Sequence, residues 1–261
     1  MEPQWWNISL PAGGRINWRI VHLEETTSTN DVAKEKARQG EGEGLVVVAE
    51  TQTRGRGRHG REWASPRGGI WASILLRPEI SPEHSHVIVL LAAVATAEAV
   101  EEATGLEPQI RWPNDLLLGG RKFCGILCES SVKQEKLEFV VVGIGINANV
   151  ELKSLPEEVR ETATTLMHEL KRPVSRSLIL ENLLRNVDSY YEMLLEGKTQ
   201  QILDRWRKRD ITLGRWVEIR TDMGLLRGLA LDIDKDGALL VQSETGLILR
   251  LKTGDVYLLR F

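Results

Sequence analysis

Short apolar runs alternate with longer helical patterns over the first four fifths of the chain, then give way to short strands alone. Residues 15–23 carry β-favouring side chains and run into Glu24-Glu25-Thr26-Thr27-Ser28-Thr29-Asn30-Asp31, a stretch of helix-capping residues. A helix is expected from there through Val32, Ala33 and Ala37 to Gly40. The β-branched run at 45–49 reads as a buried strand, and residues 70–76 as the next. Ser81-Pro82-Glu83 opens a long helix rich in alanine and valine that ends near Thr104-Gly105. Its weak amphipathicity predicts burial on most sides. Apolar runs on either side of Gly119-Gly120 predict a hairpin, and residues 139–146 a central strand. Helical pattern returns at about 177–196 and 199–208. From Gly214 onward, short apolar strands are separated by turns at Asp222-Met223-Gly224, Asp236-Gly237, Thr245-Gly246 and Thr253-Gly254, which predicts a separate small barrel of the SH3-like kind.

Composition sharpens this picture in a few places. The 261 residues are 42% hydrophobic and 27% charged, enough for a large domain and a small one. Net charge is −3, so general nucleic-acid affinity is not implied. No signal-peptide pattern and no bilayer-length apolar stretch is present, which makes a cytoplasmic location without membrane contact the expectation. Cys124 and Cys128 are the only cysteines, too few for a disulfide framework or a structural zinc site, and read as small buried hydrophobes.

Against that mild acidity, Arg54, Arg56, Arg58 and Arg61 stand interleaved with Gly55, Gly57 and Gly60 between Gln52 and Trp63. Glycines permit close backbone approach and arginines donate charge-assisted hydrogen bonds, so the segment reads as a flap over an anion; a solvated basic turn is the alternative. Arg111-Trp112-Pro113-Asn114-Asp115 places two polar side chains after a rigid turn, where a carboxylate can bind a metal, orient a base or accept a proton. Lys122 is either an anion ligand near that turn or a solvated edge charge. Gly143-Ile144-Gly145 lacks the rest of a dinucleotide fingerprint but can admit a planar ligand, with Asn147 offering a donor and an acceptor. The run from Asp232 to Gly237 opens like a calcium loop, yet Ser243 stands where the bidentate glutamate belongs, so a hairpin turn is expected. His84 and His86 read as polar residues of a helix's first turn.

Together these residues resemble the biotin protein ligases. The resemblance rests on Thr27-Ser28-Thr29-Asn30-Asp31, Gln52 with the loop to Trp63, Arg111 to Asp115, Lys122 with Gly125-Ile126-Leu127 and Glu129, Gly143 to Asn147, and the late Gly254-Asp255-Val256. It implies an α+β fold: a mixed-sheet catalytic domain of the class II synthetase and biotin/lipoate ligase type over 1–212, and an SH3-like domain over 213–261. It also implies an ATP-dependent biotin ligase that forms biotinyl-5′-AMP and transfers biotin to a lysine of a biotin carboxyl carrier protein. Lys122, Arg58 and Asp115 would be catalytic. Biotin would meet Ser28, Thr29, Gln52, Gly55, Arg56, Arg58, Lys122 and Gly125. ATP and the adenylate would meet Arg56, Arg58, Trp63, Asn114, Lys122 and Asn147, with Mg²⁺ carried mainly by ATP and no certain protein metal ligand. A homodimer is implied as well.

Two positions depart from the pattern. His59 stands where many relatives carry arginine, and too few residues precede the first strand for the DNA-binding domain that some relatives have, so no DNA binding is expected. Trp5-Trp6 has no assignment. The rival readings are a lipoate ligase or octanoyltransferase of the same fold, which the arginine loop disfavours, and a nucleic-acid module, which the overall acidity disfavours.

Overall fold

A computed structural model describes residues 4–9, 13–221 and 224–259. The first seven strands are β1 (Arg19–Thr26), β2 (Leu45–Gln52), β3 (Ile70–Leu76), β4 (Gln109–Arg111), β5 (Asp115–Leu118), β6 (Arg121–Lys133) and β7 (Lys136–Ile146). They form one sheet in the order β1-β2-β3-β7-β6-β5-β4. Only β1 and β2 run parallel, joined by helix α1 (Thr29–Arg38), and the remaining pairs are antiparallel. The sheet is therefore mixed, as expected.

Because strand side chains alternate between faces, β2 divides its apolar run between two layers. Leu45 and Val47 pack with Ala33 and Ala37 of α1, whereas Val46 and Val48 face the main core. That core is built on α2 (Val87–Thr104), whose buried residues surround the helix. After the short α3 (Glu157–Arg160) and α4 (Leu166–Leu170), α5 (Arg176–Leu195) and α6 (Thr199–Arg209) pack against it. Helix α2 starts at Val87, later than the sequence suggests. Residues Pro82–His84 form a separate tight turn, because Ser85 N bonds to the carbonyl of Pro82 and Ile88 N to that of Ser85, in the three-residue spacing of a 3₁₀ turn.

The two histidines of that turn differ. His84 is exposed and lies 3.2 Å from Oδ1 of Asp236. His86, the N-cap of α2 and so at a helix start as expected, turns inward against Trp112, and its Nε2 is buried without a hydrogen-bond partner among the described residues. Burial, helped by the nearby Arg58 and Lys252, pushes its pKa down to about 4. The unfolded chain binds that proton near pH 6.5, so His86 contributes stability above 6.5 that is lost as pH falls toward about 4. Asp210 works in the opposite sense: burial raises its pKa to about 6, and its contribution is full below 3.8 and lost as pH rises through 6. We expect His86→Gln to flatten the acid side of the stability curve between pH 4 and 6.5. Denaturant midpoints that fall in parallel with those of the unsubstituted protein would contradict this.

After residue 213 the chain forms β8 (Trp216–Thr221), β9 (Gly224–Ile233), β10 (Leu239–Ser243), β11 (Ile248–Leu251) and β12 (Asp255–Leu258). All pair antiparallel, in the order β11-β10-β9-β8-β12. The carboxylate of Asp234 accepts from the backbone of Asp236 and Ala238, making the acidic run a hairpin turn as read from the sequence. The expected turn at Asp222-Met223 lies outside the described residues. Trp112 Nε1 donates to the carbonyl of Gly237 at 3.1 Å, and Arg207 Nε to Asp232 at 2.8 Å, tying the second sheet to the first part of the chain.

Two features had no sequence signal. The hairpin between β6 and β7 turns on Gln134 and Glu135, both with positive φ, where glycine or asparagine is the usual choice. Trp5 is buried: its Nε1 donates to Oε1 of Glu50 at 2.5 Å, and the Arg176 guanidinium lies 4.5 Å from its ring centroid. Trp6 stacks on His22. Residues 1–3 and 10–12 of the same leader lie outside the described residues.

Candidate active site

The ends of β2, β5, β6 and β7 and the start of α1 open into one cavity of about 470 Å³. At its inner end a polar network gathers around Thr29. The Thr29 backbone N and Oγ1 donate to Oε1 of Gln52, at 2.8 and 3.1 Å, and Gln52 Nε2 donates to Ser65 Oγ at 2.8 Å. Ser73 Oγ lies 2.7 Å from Thr29 Oγ1 and 2.6 Å from Asn30 Oδ1. Ser28 is the buried N-cap of α1 and leaves its side chain out of the cap, so this hydroxyl is not spent on the helix. A planar amide-like group entering here meets donors and acceptors whose positions are already set.

Next to this network, the Trp63 ring lies against the backbone of two strands. A Cβ at Gly145 would come within 2.6 Å of Trp63 Nε1, and one at Gly125 within 2.9 Å of the ring. Glycine is needed at both places because the indole occupies the space of a side chain. The Lys122 ammonium sits 5.1 Å from the same ring centroid, within cation–π range.

Lys122 is not an edge charge. Its backbone N donates to the carbonyl of Thr162, and its own carbonyl accepts from Thr164, so this end of β6 is covered by residues 162–164. Its Nζ lies 2.5 Å from Oδ1 of Asp115, and Arg111 donates to Oδ2 of the same carboxylate at 2.6 Å. Burial alone raises the Asp115 pKa, but Lys122 and then Arg111 more than offset it and hold the group below the usual carboxylate range. Asp115 is thus a fixed anion that orients two cations. Asn147, beyond β7, donates through Nδ2 to Thr164, while its buried Oδ1 has no partner among the described residues. Asn114 donates to the carbonyl of Ile126 and accepts from Arg58.

The arginine loop crosses the mouth of the cavity. Arg56 and Glu62 form an isolated antiparallel bridge, and residues 58–60 a tight turn. The loop's three glycines serve different needs. Gly60 takes a positive φ of 72°; Gly55 instead avoids the Trp63 carbonyl, which a Cβ would meet at 2.3 Å; Gly57 shows neither need. His59 takes a left-handed conformation, φ 54°. Arg58 points to the C-terminal sheet as well as to Asn114, donating to Thr253 Oγ1 at 2.6 Å and to the carbonyl of Gly254 at 3.1 Å.

All the residues expected from the sequence except Gly55 line this one cavity, and Gly55 supports it from beneath Trp63. The sequence reasoning missed residues 162–164, which cover Lys122 and carry no motif of their own. It read Thr253-Gly254 as a turn and Gly254-Asp255-Val256 as part of the resemblance, without placing them against the arginine loop.

A mixed sheet with an arginine loop and a lysine–carboxylate cluster at one cavity fits an enzyme that brings anions together, as ligases do. The chain matches the Biotin/lipoate A/B protein ligase family over residues 23–147 and the Biotin protein ligase C terminal domain over residues 212–259. It is 34% identical over 229 residues to the Bacillus subtilis bifunctional ligase/repressor BirA, covering 87% of this chain and 70% of that one. It is 34% identical over 256 residues to the Mycobacterium tuberculosis biotin–[acetyl-CoA-carboxylase] ligase, covering 95% and 92% of the two chains. The Aquifex aeolicus biotin protein ligase, solved in complex with biotin and ATP, superposes with a TM-score of 0.78 at 28% identity, over 93% of this chain and 99% of that one. The chain belongs to the biotin protein ligase family.

Proposed function

We propose that the cavity activates biotin with ATP, forming biotinyl-5′-AMP and pyrophosphate, and passes the biotinyl group to a lysine of a biotin carboxyl carrier domain. The observation that carries this reading is the junction of three recognition surfaces in one cavity: the Thr29–Gln52 network, the Lys122 ammonium and the unpaired Oδ1 of Asn147. A cyclic urea fits the first, since Gln52 keeps one amide hydrogen and Ser28 a hydroxyl to offer. The indole of Trp63, packed on Gly125 and Gly145 and lining the cavity, offers an apolar face to the body of biotin or to a base. An exocyclic amino group of adenine satisfies Asn147 Oδ1.

Both reactants are anions, so their encounter needs cations at the reacting carboxylate and α-phosphate. Lys122, held by Asp115, supplies one such charge, and Arg56 and Arg58 supply the loop side. The Asp115 carboxylate is already shared by Lys122 and Arg111, and no group of three or more metal-ligating side chains occurs among the described residues. Mg²⁺ would arrive mainly on the ATP phosphates. A carboxylate held at low pKa is a weak base, so Asp115 orients Lys122 in preference to deprotonating the acceptor amine.

The same reading includes an SH3-like C-terminal domain from residue 213, a cytoplasmic location and a homodimer that uses an edge of the seven-stranded sheet. β1 and β4 are those edges. No helix among the described residues is long and apolar enough to cross a membrane.

Pyrophosphate exchange into ATP, with Mg²⁺ and either biotin, lipoate or no acid, tests the reading. Exchange that depends on biotin is expected. Equal exchange with lipoate, or exchange with no acid added, would reject biotin as the substrate.

A further inference from the structure

Carboxylates from different parts of the fold fasten the arginine loop at its two ends. Near its start, Arg56 donates to Asp31 of α1 at 2.7 Å and to Glu129 of β6 at 3.0 Å. At its far end, Arg61 donates to Oδ1 of Asp255, the first residue of β12, at 2.6 Å. His59 Nε2 lies 4.0 Å from the same oxygen. Arg58 grips the preceding two residues, Thr253 and Gly254.

The two members of the far fastening are not alike. The Asp255 side chain is 17% exposed and that of Arg61 55%, so the carboxylate is fixed while the arginine can return to water. Asp255 is pinned because β12 pairs with β8, where Asp255 faces Arg220 in register. Gly254 brings the turn in tightly: a Cβ there would lie 2.5 Å from Ile219 Cγ2. A fixed anion facing an exposed, flexible cation breaks at little cost and re-forms when the loop returns.

We propose that Asp255 is a positioning residue that latches the arginine loop over the adenylate through Arg61, with His59 beside the pair, so that the C-terminal strands govern how long the intermediate is held. This rests on the ligase reading above. The mixed anhydride is open to hydrolysis whenever the loop lifts, and an acceptor protein must have it lifted; the latch sets the balance between the two. The inference also gives His59 a place. It adds a cation to the same carboxylate when protonated.

Two measurements decide it. In the first, protein loaded with labelled biotin and Mg·ATP is chased with unlabelled biotin, and loss of bound label is timed. For a pair this exposed, Asp255→Ala is expected to speed the loss by about threefold. The charge-reversed double variant, Arg61→Asp with Asp255→Arg, returns it to the unsubstituted rate. In the second, trypsin cleavage after Arg54, Arg56 and Arg58 is followed without ligand; it should quicken in Asp255→Ala and recover in the double variant. A purely structural role for Asp255 would lower thermal stability without rescue by the reversed pair. Unchanged cleavage in Asp255→Ala, or a double variant no better than the single, overturns the latch. If the unsubstituted protein forms no adenylate from biotin, the ligase reading fails, while the cleavage comparison still decides the latch.

Discussion

Lys122→Ala lowers biotin-dependent pyrophosphate exchange by about two to three orders of magnitude, the usual cost of removing one preorganised charge from a reacting anion. The expectation follows from three features of the site. The Nζ is held 2.5 Å from Asp115 Oδ1, its backbone is clamped by residues 162–164, and it stands beside the Trp63 ring where the ligand's apolar body is expected. No other lysine among the described residues lines the cavity, and Arg56, Arg58 and Arg61 share their charge with Asp31, Glu129, Thr253, Gly254 and Asp255. Lys122→Arg restores the charge but places it on a longer, planar group, and is expected to recover the rate only in part. The measurement is exchange rate at saturating biotin and ATP, alongside a thermal melt. A folded Lys122→Ala protein within threefold of the unsubstituted rate would remove Lys122 from the chemistry.

Arg176→Ala destabilises the whole protein by about 3–5 kcal/mol, because it leaves Glu50 charged and uncompensated in the interior. Glu50 and Arg176 have side-chain exposures of 4% and 8% and meet at 3.1 Å, with Trp5 bonded to the other carboxylate oxygen and stacked under the guanidinium. Arg67 reaches the same carboxylate only at 3.6 Å from an exposed position and cannot replace the lost partner. For a chain of this size the loss corresponds to roughly a 10 °C fall in Tm, well within reach of calorimetry or circular dichroism. Removing both charges with Glu50→Leu and Arg176→Met is expected to recover only part of it, since no charge is left stranded but the buried Trp5 Nε1 loses its acceptor. A single variant that melts with the unsubstituted protein would mean that water reaches Glu50. Glu50 lies two residues before Gln52 on β2, so the ligand-facing end of that strand is also anchored by the leader.

How much of this was legible beforehand depended on the range of the interaction involved. The strands at 45–49 and 70–76 announced themselves because both faces of each are covered, which leaves largely apolar runs; that β2 continues to Gln52 was not read. The Gly119-Gly120 hairpin was legible because both residues adopt positive φ, the conformation for which glycine is the local solution. Gln134 and Glu135 adopt similar angles without that chemistry; the ladder between β6 and β7 imposes the turn on them. His86 read as a polar helix start, since its burial comes from Trp112 and the distant turn at Gly237.

The site residues were legible as an ordered set of motifs, and the cavity gathers that set at the ends of four strands. Their states were not. Nothing local says that Lys122 is covered by residues 162–164, that Asp115 carries two cations, or that Asn147 keeps an unpaired acceptor.

By itself, then, the sequence determined what depends on neighbours along the chain: strand runs, caps, glycine turns, the arginine loop and the order of the motifs that mark a biotin protein ligase. Only the tertiary structure decided which charges are paired, which are buried, that Trp5 closes over Glu50 and Arg176, and that the arginine loop is fastened to Asp255 from the far end of the chain. Those outcomes turn on burial and on distances between residues far apart in sequence, and pairing and desolvation energies exist only once the chain has folded.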